Sequence, residues 1–146
     1  MRPLVVVTRQ MPAPVEARLA ARFDARLNAE DIPLDADGLA HALATADAVL
    51  CTVTDRLPAS VFAQAARQGG RARLLANFGV GVNHIDLAAA RAHGIAVTNT
   101  PGVLTEDTAD VAMALVLMAA LRLGEGERLL RAGGWDGWRP SQLLGT

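Results

Sequence analysis

Short, unbroken apolar runs alternate along the chain with stretches in which apolar residues recur every three or four positions. Leu4-Val5-Val6-Val7 is apolar and β-branched, which suits a strand buried on both faces. Beyond Pro12 and Pro14, Val15, Leu19 and Phe23 fall at i, i+4 and i+8 and predict a helix. Ala25-Arg26-Leu27-Asn28 is a weaker second strand. Asp35 or Asp37 can cap a helix with Leu39 and Leu43 on one face. Ala48 to Val53 is a third strand. A helix follows Pro58 through Val61, Phe62 and Ala65, and Gly69-Gly70 ends it. Arg73 to Phe78 is the fourth strand. Asp86 caps a short helix ending at Gly94, and Ile95 to Asn99 is the fifth strand. Pro101-Gly102 turns the chain, and Thr105 caps a long helix running to about Ala132. Five strands separated by helices predict an α/β fold, a doubly wound five-stranded parallel sheet of flavodoxin-like (Rossmann-like) type.

The last helix differs from the others. From Val111 to Leu121 it is apolar on every side, so a single sheet face could not cover it. The pattern divides the chain at 1–104 and 105–146, with the second segment awaiting a partner domain or subunit. Gly124 and Gly126 fit poorly inside a helix, each costing about 1 kcal/mol relative to Ala.

A length of 146 residues fits one domain, and 51% apolar residues suffice for a core. All 14 basic residues are Arg, scattered along a chain of net charge −1, so neither a nucleic-acid nor an anionic-membrane footprint is expected. With no Lys, Schiff-base and P-loop chemistry are excluded. The absence of Lys and of acids after the first strand also argues against a phosphoacceptor receiver, as Met11-Pro12 and the lack of Tyr argue against a flavin module. Cys51 alone makes neither a disulfide nor a zinc site. The 11-residue apolar run is too short to span a bilayer, and no signal-like segment is evident, so a cytoplasmic setting is expected.

Ligands of open α/β sheets sit at the carboxyl ends of the strands. There, Gly79-Val80-Gly81 could turn successive backbone N–H groups toward one anion, with a helix start behind adding a favourable dipole. A plain tight turn explains the spacing equally well. It is no dinucleotide fingerprint: position 84 is His, where Gly or Ala is required, and Gly124-x-Gly126 is followed by Leu129. His41, His84 and His93 are read as solvated or locally bonded. Glu106, Asp107 and Asp110 are read as acids favoured by a helix N-terminus, and Cys51 as core. No catalytic residue and no metal site are assigned. Trp135 and Trp138 suit either a core edge or an interface.

Residues 77–140 contain G-V-G-x-x-x-I-D, then G-I-x-V-x-N-T-P-G-V-L-T, then T-A-D, in that order. This stretch closely resembles the D-isomer-specific 2-hydroxyacid dehydrogenases, nearest to the glyoxylate/hydroxypyruvate reductase branch. The resemblance implies an NAD- or NADP-dependent oxidoreductase that interconverts 2-oxo acids and D-2-hydroxy acids. By the same resemblance, the backbone of Val80 and Gly81 holds the substrate carboxylate, and Thr52 and Val53 line the substrate pocket. Thr108 approaches the nicotinamide cofactor. Trp138 reaches toward a partner's active site, and the long helix with its Trp arm forms a homodimer contact. The family's G-x-G-x-x-G loop, substrate-clamping Arg, and catalytic His with its acid belong beyond the position of Thr146. The chain is therefore expected to be the substrate-binding part, inactive alone. The other reading is a standalone, non-catalytic flavodoxin-like module that binds a carboxylate or dimerises.

Overall fold

The computed structural model describes residues 1–138. Its first unit, Met1–Pro101, holds five strands: β1 (Leu4–Val7), β2 (Asp24–Arg26), β3 (Ala48–Thr52), β4 (Leu74–Phe78) and β5 (Ala96–Thr98). All neighbouring pairs are parallel, in the order β2-β1-β3-β4-β5. Four helices connect them: α1 (Ala13–Arg22), α2 (Ala36–Thr45), α3 (Ala59–Arg67) and α4 (Leu87–Ala92). The expected α/β architecture is present.

Alternation along the strands divides the core. Leu4, Val49, Cys51 and Leu75 pack with Leu39 and Leu43 of α2, Val61 and Phe62 of α3, and Ala90 of α4. Val5 and Val7 belong to a smaller cluster with Met11, joined by Leu19 and Phe23 from the α1 region. One face of the sheet is thus sealed by three helices and the other only by α1. Each large aliphatic or aromatic side chain fully buried in the first cluster contributes about 1.5–3 kcal/mol.

The local signals act as the chain chemistry dictates. Asp35, not Asp37, caps α2, accepting the Gly38 N–H at 2.8 Å. Asp86 caps α4 through the Ala89 N–H at 2.9 Å. After α3 the chain reverses through Gly69 and Gly70, both at positive φ, where a side chain would be strained. Four strands, β2 to β5, are shorter than the pattern implies, and past the ends of β2 and β5 side chains do other work. Asn28 leaves β2 to donate to the carbonyls of Thr8 and Ile32, each at 2.7 Å. Asn99 leaves β5 to donate to the Val80 carbonyl at 2.8 Å.

The second unit begins at Gly102. Here the expected single helix is two: α5 (Thr105–Ala120) and α6 (Leu123–Arg131). The break falls at Arg122, whose φ of 52° lies in the left-handed region. An uninterrupted helix would have carried both Gly124 and Gly126 in its interior; the break instead starts a new helix just before them. Arg122 forms a short-range ion pair with Glu125 across this joint. Thr105 is the first helical residue, not the cap; Leu104 holds that position without a side-chain hydrogen bond. The apolar residues of α5 are exposed around its whole circumference, Val111, Met113, Leu115 and Val116 among them. Among the described residues no helix is long and apolar enough to cross a membrane.

Candidate functional site

The carboxyl ends of β1, β3 and β4 lie side by side in the sheet, and the loops leaving them form the candidate site. Thr8, just past β1, is fully buried and donates its hydroxyl to the carboxylate of Asp55. Asp55, 3% exposed, also accepts the Thr52 N–H at 2.8 Å. This carboxylate ties the end of β1 to the turn after β3 and fixes the path of Thr52-Val53-Thr54. The hydroxyls of Thr52 and Thr54 pair at 2.8 Å, and Arg9 reaches Thr54 at 3.0 Å while forking onto Asp31. The Arg9 guanidinium, followed by the Gln10 N–H, holds the Asp31 carboxyl down at about 2.

Val53 is more than half exposed, and its side chain leans over the loop after β4. A Cβ on Gly79 would stand 2.5 Å from Val53 Cγ1, so this close approach requires glycine at 79. Gly81 is different. Its φ is not in the left-handed region, and a Cβ there would meet nothing within 4 Å. Neither backbone conformation nor packing demands glycine at 81.

The loop is held by its carbonyls. Asn77 donates to Gly79 O at 3.1 Å and Gly81 O at 2.9 Å; Asn99 donates to Val80 O at 2.8 Å; the Thr100 N–H donates to Gly79 O at 3.0 Å. No hydrogen bond among the described residues engages the N–H of Val80 or Gly81. Two adjacent free donors beside an unfilled glycine position are groups that can hydrogen-bond a small anion. The expected helix dipole does not add to them. Residues 82–86 intervene before α4, which is only six residues long and already capped by the Asp86 carboxylate.

Of the expected site residues, Thr52, Val53, Val80 and Gly81 share this edge of the sheet. Thr52 contributes buried backbone and a hydroxyl used locally; Val53 and the Val80-Gly81 amides are the accessible parts. Thr108 and Trp138 belong to the second unit. Thr108 lies in the first turn of α5, its N–H bonded to Leu104 O, with its residue exposed. Trp138 follows α6 and is 78% exposed; Trp135 is also exposed. The histidines have local roles. His41 is on the α2 surface; His93 closes α4, with Nδ1 2.8 Å from Ala89 O and its ring beside Phe62; His84 Nε2 is 3.1 Å from Asn77 Oδ1. Burial lowers the His84 pKa, partly opposed by the Asp55 charge. Burial also pushes the Cys51 thiol up to about 12, so it is no nucleophile near neutral pH. Among the described residues no acidic, His or Cys cluster could hold a metal ion.

Asn77, Asn99 and Asp55 were not singled out by pattern. Asn77 did carry a signal: it is a polar residue at an inward position of an otherwise apolar strand. Asp55 and Thr8 are tied across 47 positions of sequence, which no local pattern reveals.

The family described as D-isomer specific 2-hydroxyacid dehydrogenase, catalytic domain, matches residues 5–134. A glyoxylate reductase of Korarchaeum cryptofilum is 38% identical over 99% of this chain and 43% of its own length. A glycerate dehydrogenase of Hyphomicrobium methylovorum is 32% identical over 97% of this chain and 43% of its own length. Among solved structures, the NADPH-dependent glyoxylate/hydroxypyruvate reductase of Sinorhizobium meliloti, in complex with NADP and malonate, superimposes with a TM-score of 0.74. It is 31% identical, over 96% of this chain and 42% of that one. The chain thus spans less than half the length of the curated relatives it matches.

Proposed function

The chain belongs to the D-isomer specific 2-hydroxyacid dehydrogenases, and from that premise we propose that it is the substrate-binding part of an NAD(P)-dependent reductase of small 2-oxo acids. Residues 1–104 form the substrate-binding domain, and 105–146 form an arm toward further domains or subunits. The observation that carries this reading is the pair of free amides at Val80 and Gly81, beside a glycine whose Cβ position is open. A carboxylate accepts two such hydrogen bonds without any cationic side chain, and charge-assisted bonds of this kind are the stronger sort. Val53 closes one side of the seat with an apolar wall. The malonate in the Sinorhizobium structure supports a carboxylate ligand for a relative of this fold.

The nicotinamide cofactor supplies hydride in such enzymes. The described residues do not fit a dinucleotide: none of their loops follows the G-x-G-x-x-G pattern that seats a pyrophosphate, and Thr108 is one hydroxyl at a helix start. No chemical step is therefore assigned to this chain beyond holding and orienting the 2-oxo acid. Its proposed partners are that acid and a second copy, joined through the exposed apolar surface of α5 with Trp135 and Trp138, which follow α6.

The test is a titration of the ¹⁵N-labelled chain with oxamate, an unreactive carboxylate of 2-oxo acid shape. Saturable shifts centred on the Val80 and Gly81 amides are expected; their absence overturns the proposal. In parallel, NAD(P)H oxidation with glyoxylate or hydroxypyruvate should stay at the buffer rate. Turnover above that rate would show a catalytic site that the described residues do not contain.

A further inference from the structure

Asn77 is an amide in an apolar place. It is 2% exposed, it sits on β4 two residues from the core residue Leu75, and it pairs in register with buried Cys51 of β3. An unsatisfied amide there would destabilise the fold, yet every hydrogen-bonding capacity of Asn77 has a partner. Its Nδ2 donates to Gly79 O and Gly81 O at 3.1 and 2.9 Å. Its Oδ1 faces His84 Nε2 at 3.1 Å and Cys51 Sγ at 3.7 Å, both able to donate. Because the two loop carbonyls can only accept, the amide has one orientation: nitrogen toward the loop, oxygen toward His84 and Cys51.

A trans peptide is planar, so the C=O of one residue and the N–H of the next point in opposite directions. Anchoring the Gly79 carbonyl therefore aims the Val80 N–H away from Asn77. Anchoring the Val80 carbonyl by Asn99 likewise aims the Gly81 N–H. The Val80 N–H is thus governed by Asn77 together with the Thr100 N–H, which bonds the same Gly79 carbonyl at 3.0 Å, and the Gly81 N–H by Asn99.

We propose that Asn77 is a positioning residue for substrate binding, aiming the Val80 N–H at the substrate carboxylate, with His84 locking the orientation of the Asn77 amide. The inference rests on the carboxylate reading of the Val80-Gly81 seat. It adds a buried residue that no ligand touches but on which affinity depends.

The experiment uses the whole 146-residue chain, ¹⁵N-labelled, with oxamate as the probe. In Asn77→Asp the two donors to the loop become acceptors facing carbonyl oxygens. Oxamate affinity should fall at least tenfold, and the Val80 amide resonance of the free protein should move more than that of Gly81. Asn99→Asp should reverse that order. Asn77→Asp should also raise the His84 titration midpoint, because a carboxylate would then face the ring in addition to Asp55. Val61→Ala, a core truncation in α3, should lower stability while leaving affinity and the His84 midpoint unchanged.

A measurement on the unmodified chain stands beside these variants. The Asn77 side-chain NH₂ resonances should shift with oxamate at the same midpoint as the Val80 amide. Silent Asn77 NH₂ resonances, or binding of wild-type strength in Asn77→Asp, overturn the role of Asn77 and leave the seat intact. No oxamate binding by the wild type overturns the seat, and the role of Asn77 with it.

Discussion

The two units of this chain treat apolar residues in opposite ways. In Met1–Pro101, Phe62, Leu43, Leu57 and Leu75 are shut away between a parallel sheet and its helices. From Gly102 onward, no described residue is buried, although α5 is apolar without a break from Val111 to Ala120. The first unit has a core of its own, whereas the described residues of the second have none. The difference is visible in the spacing of apolar positions. A helix of the first unit carries a stripe, and a stripe needs one neighbour. A helix apolar all round needs several.

The largest expected effect tests this contrast directly. Leu75→Ala should cost about 2–5 kcal/mol in urea unfolding, as truncations in tight cores do. Leu115→Ala in α5 should change monomer stability by no more than about 0.5 kcal/mol. Equal losses at the two positions would mean that α5 is covered within one folded chain.

The next effect concerns association. An exposed apolar surface of this kind drives self-assembly. Light scattering at micromolar concentration should show dimers or larger species, and Leu115→Glu should shift them toward monomer. A monodisperse wild-type monomer would break the comparison from the other side.

The smallest effect lies within the first unit. Asp31 has its pKa depressed to about 2 by Arg9, below its unfolded value of about 3.9. The unfolded chain binds the proton more readily, so the stabilisation is present above pH about 4 and fades as pH falls toward about 2. Asp31→Asn should flatten stability over that window and leave neutral pH nearly unchanged. A wild-type acid slope retained in the variant would assign the loss to other groups, such as Asp47, which Arg71 and then the Leu4 N–H hold below the usual range.

Much of the fold was legible because it depends on local periodicity. Four of the five strands stand where β-branched or apolar runs lie, β2 with its Asp24 and Arg26 being the exception, and Asp86 caps α4 at the expected residue. What escaped depends on side chains acting at a distance. The ends of β2 and β5 were overestimated because Asn28 and Asn99 abandon the ladder to bind carbonyls elsewhere. The helix break at Arg122 was missed because apolar periodicity continues through it, and only the paired glycines beyond hinted at the cost. At the site, the glycine loop was readable from spacing, and the carboxylate it is proposed to hold came from resemblance. The network behind it was not readable, since Thr8 and Asp55, or Asn77 and His84, meet only once the sheet exists.

Gly81 leaves a practical opportunity. Its backbone is one that alanine adopts without strain, and its missing side chain would project into open space. Gly81→Ala should therefore melt within about 0.5 kcal/mol of the parent while losing oxamate binding. Such a chain would serve as a built-in blank for every binding assay, identical in fold and differing by one methyl group in the place a ligand would occupy.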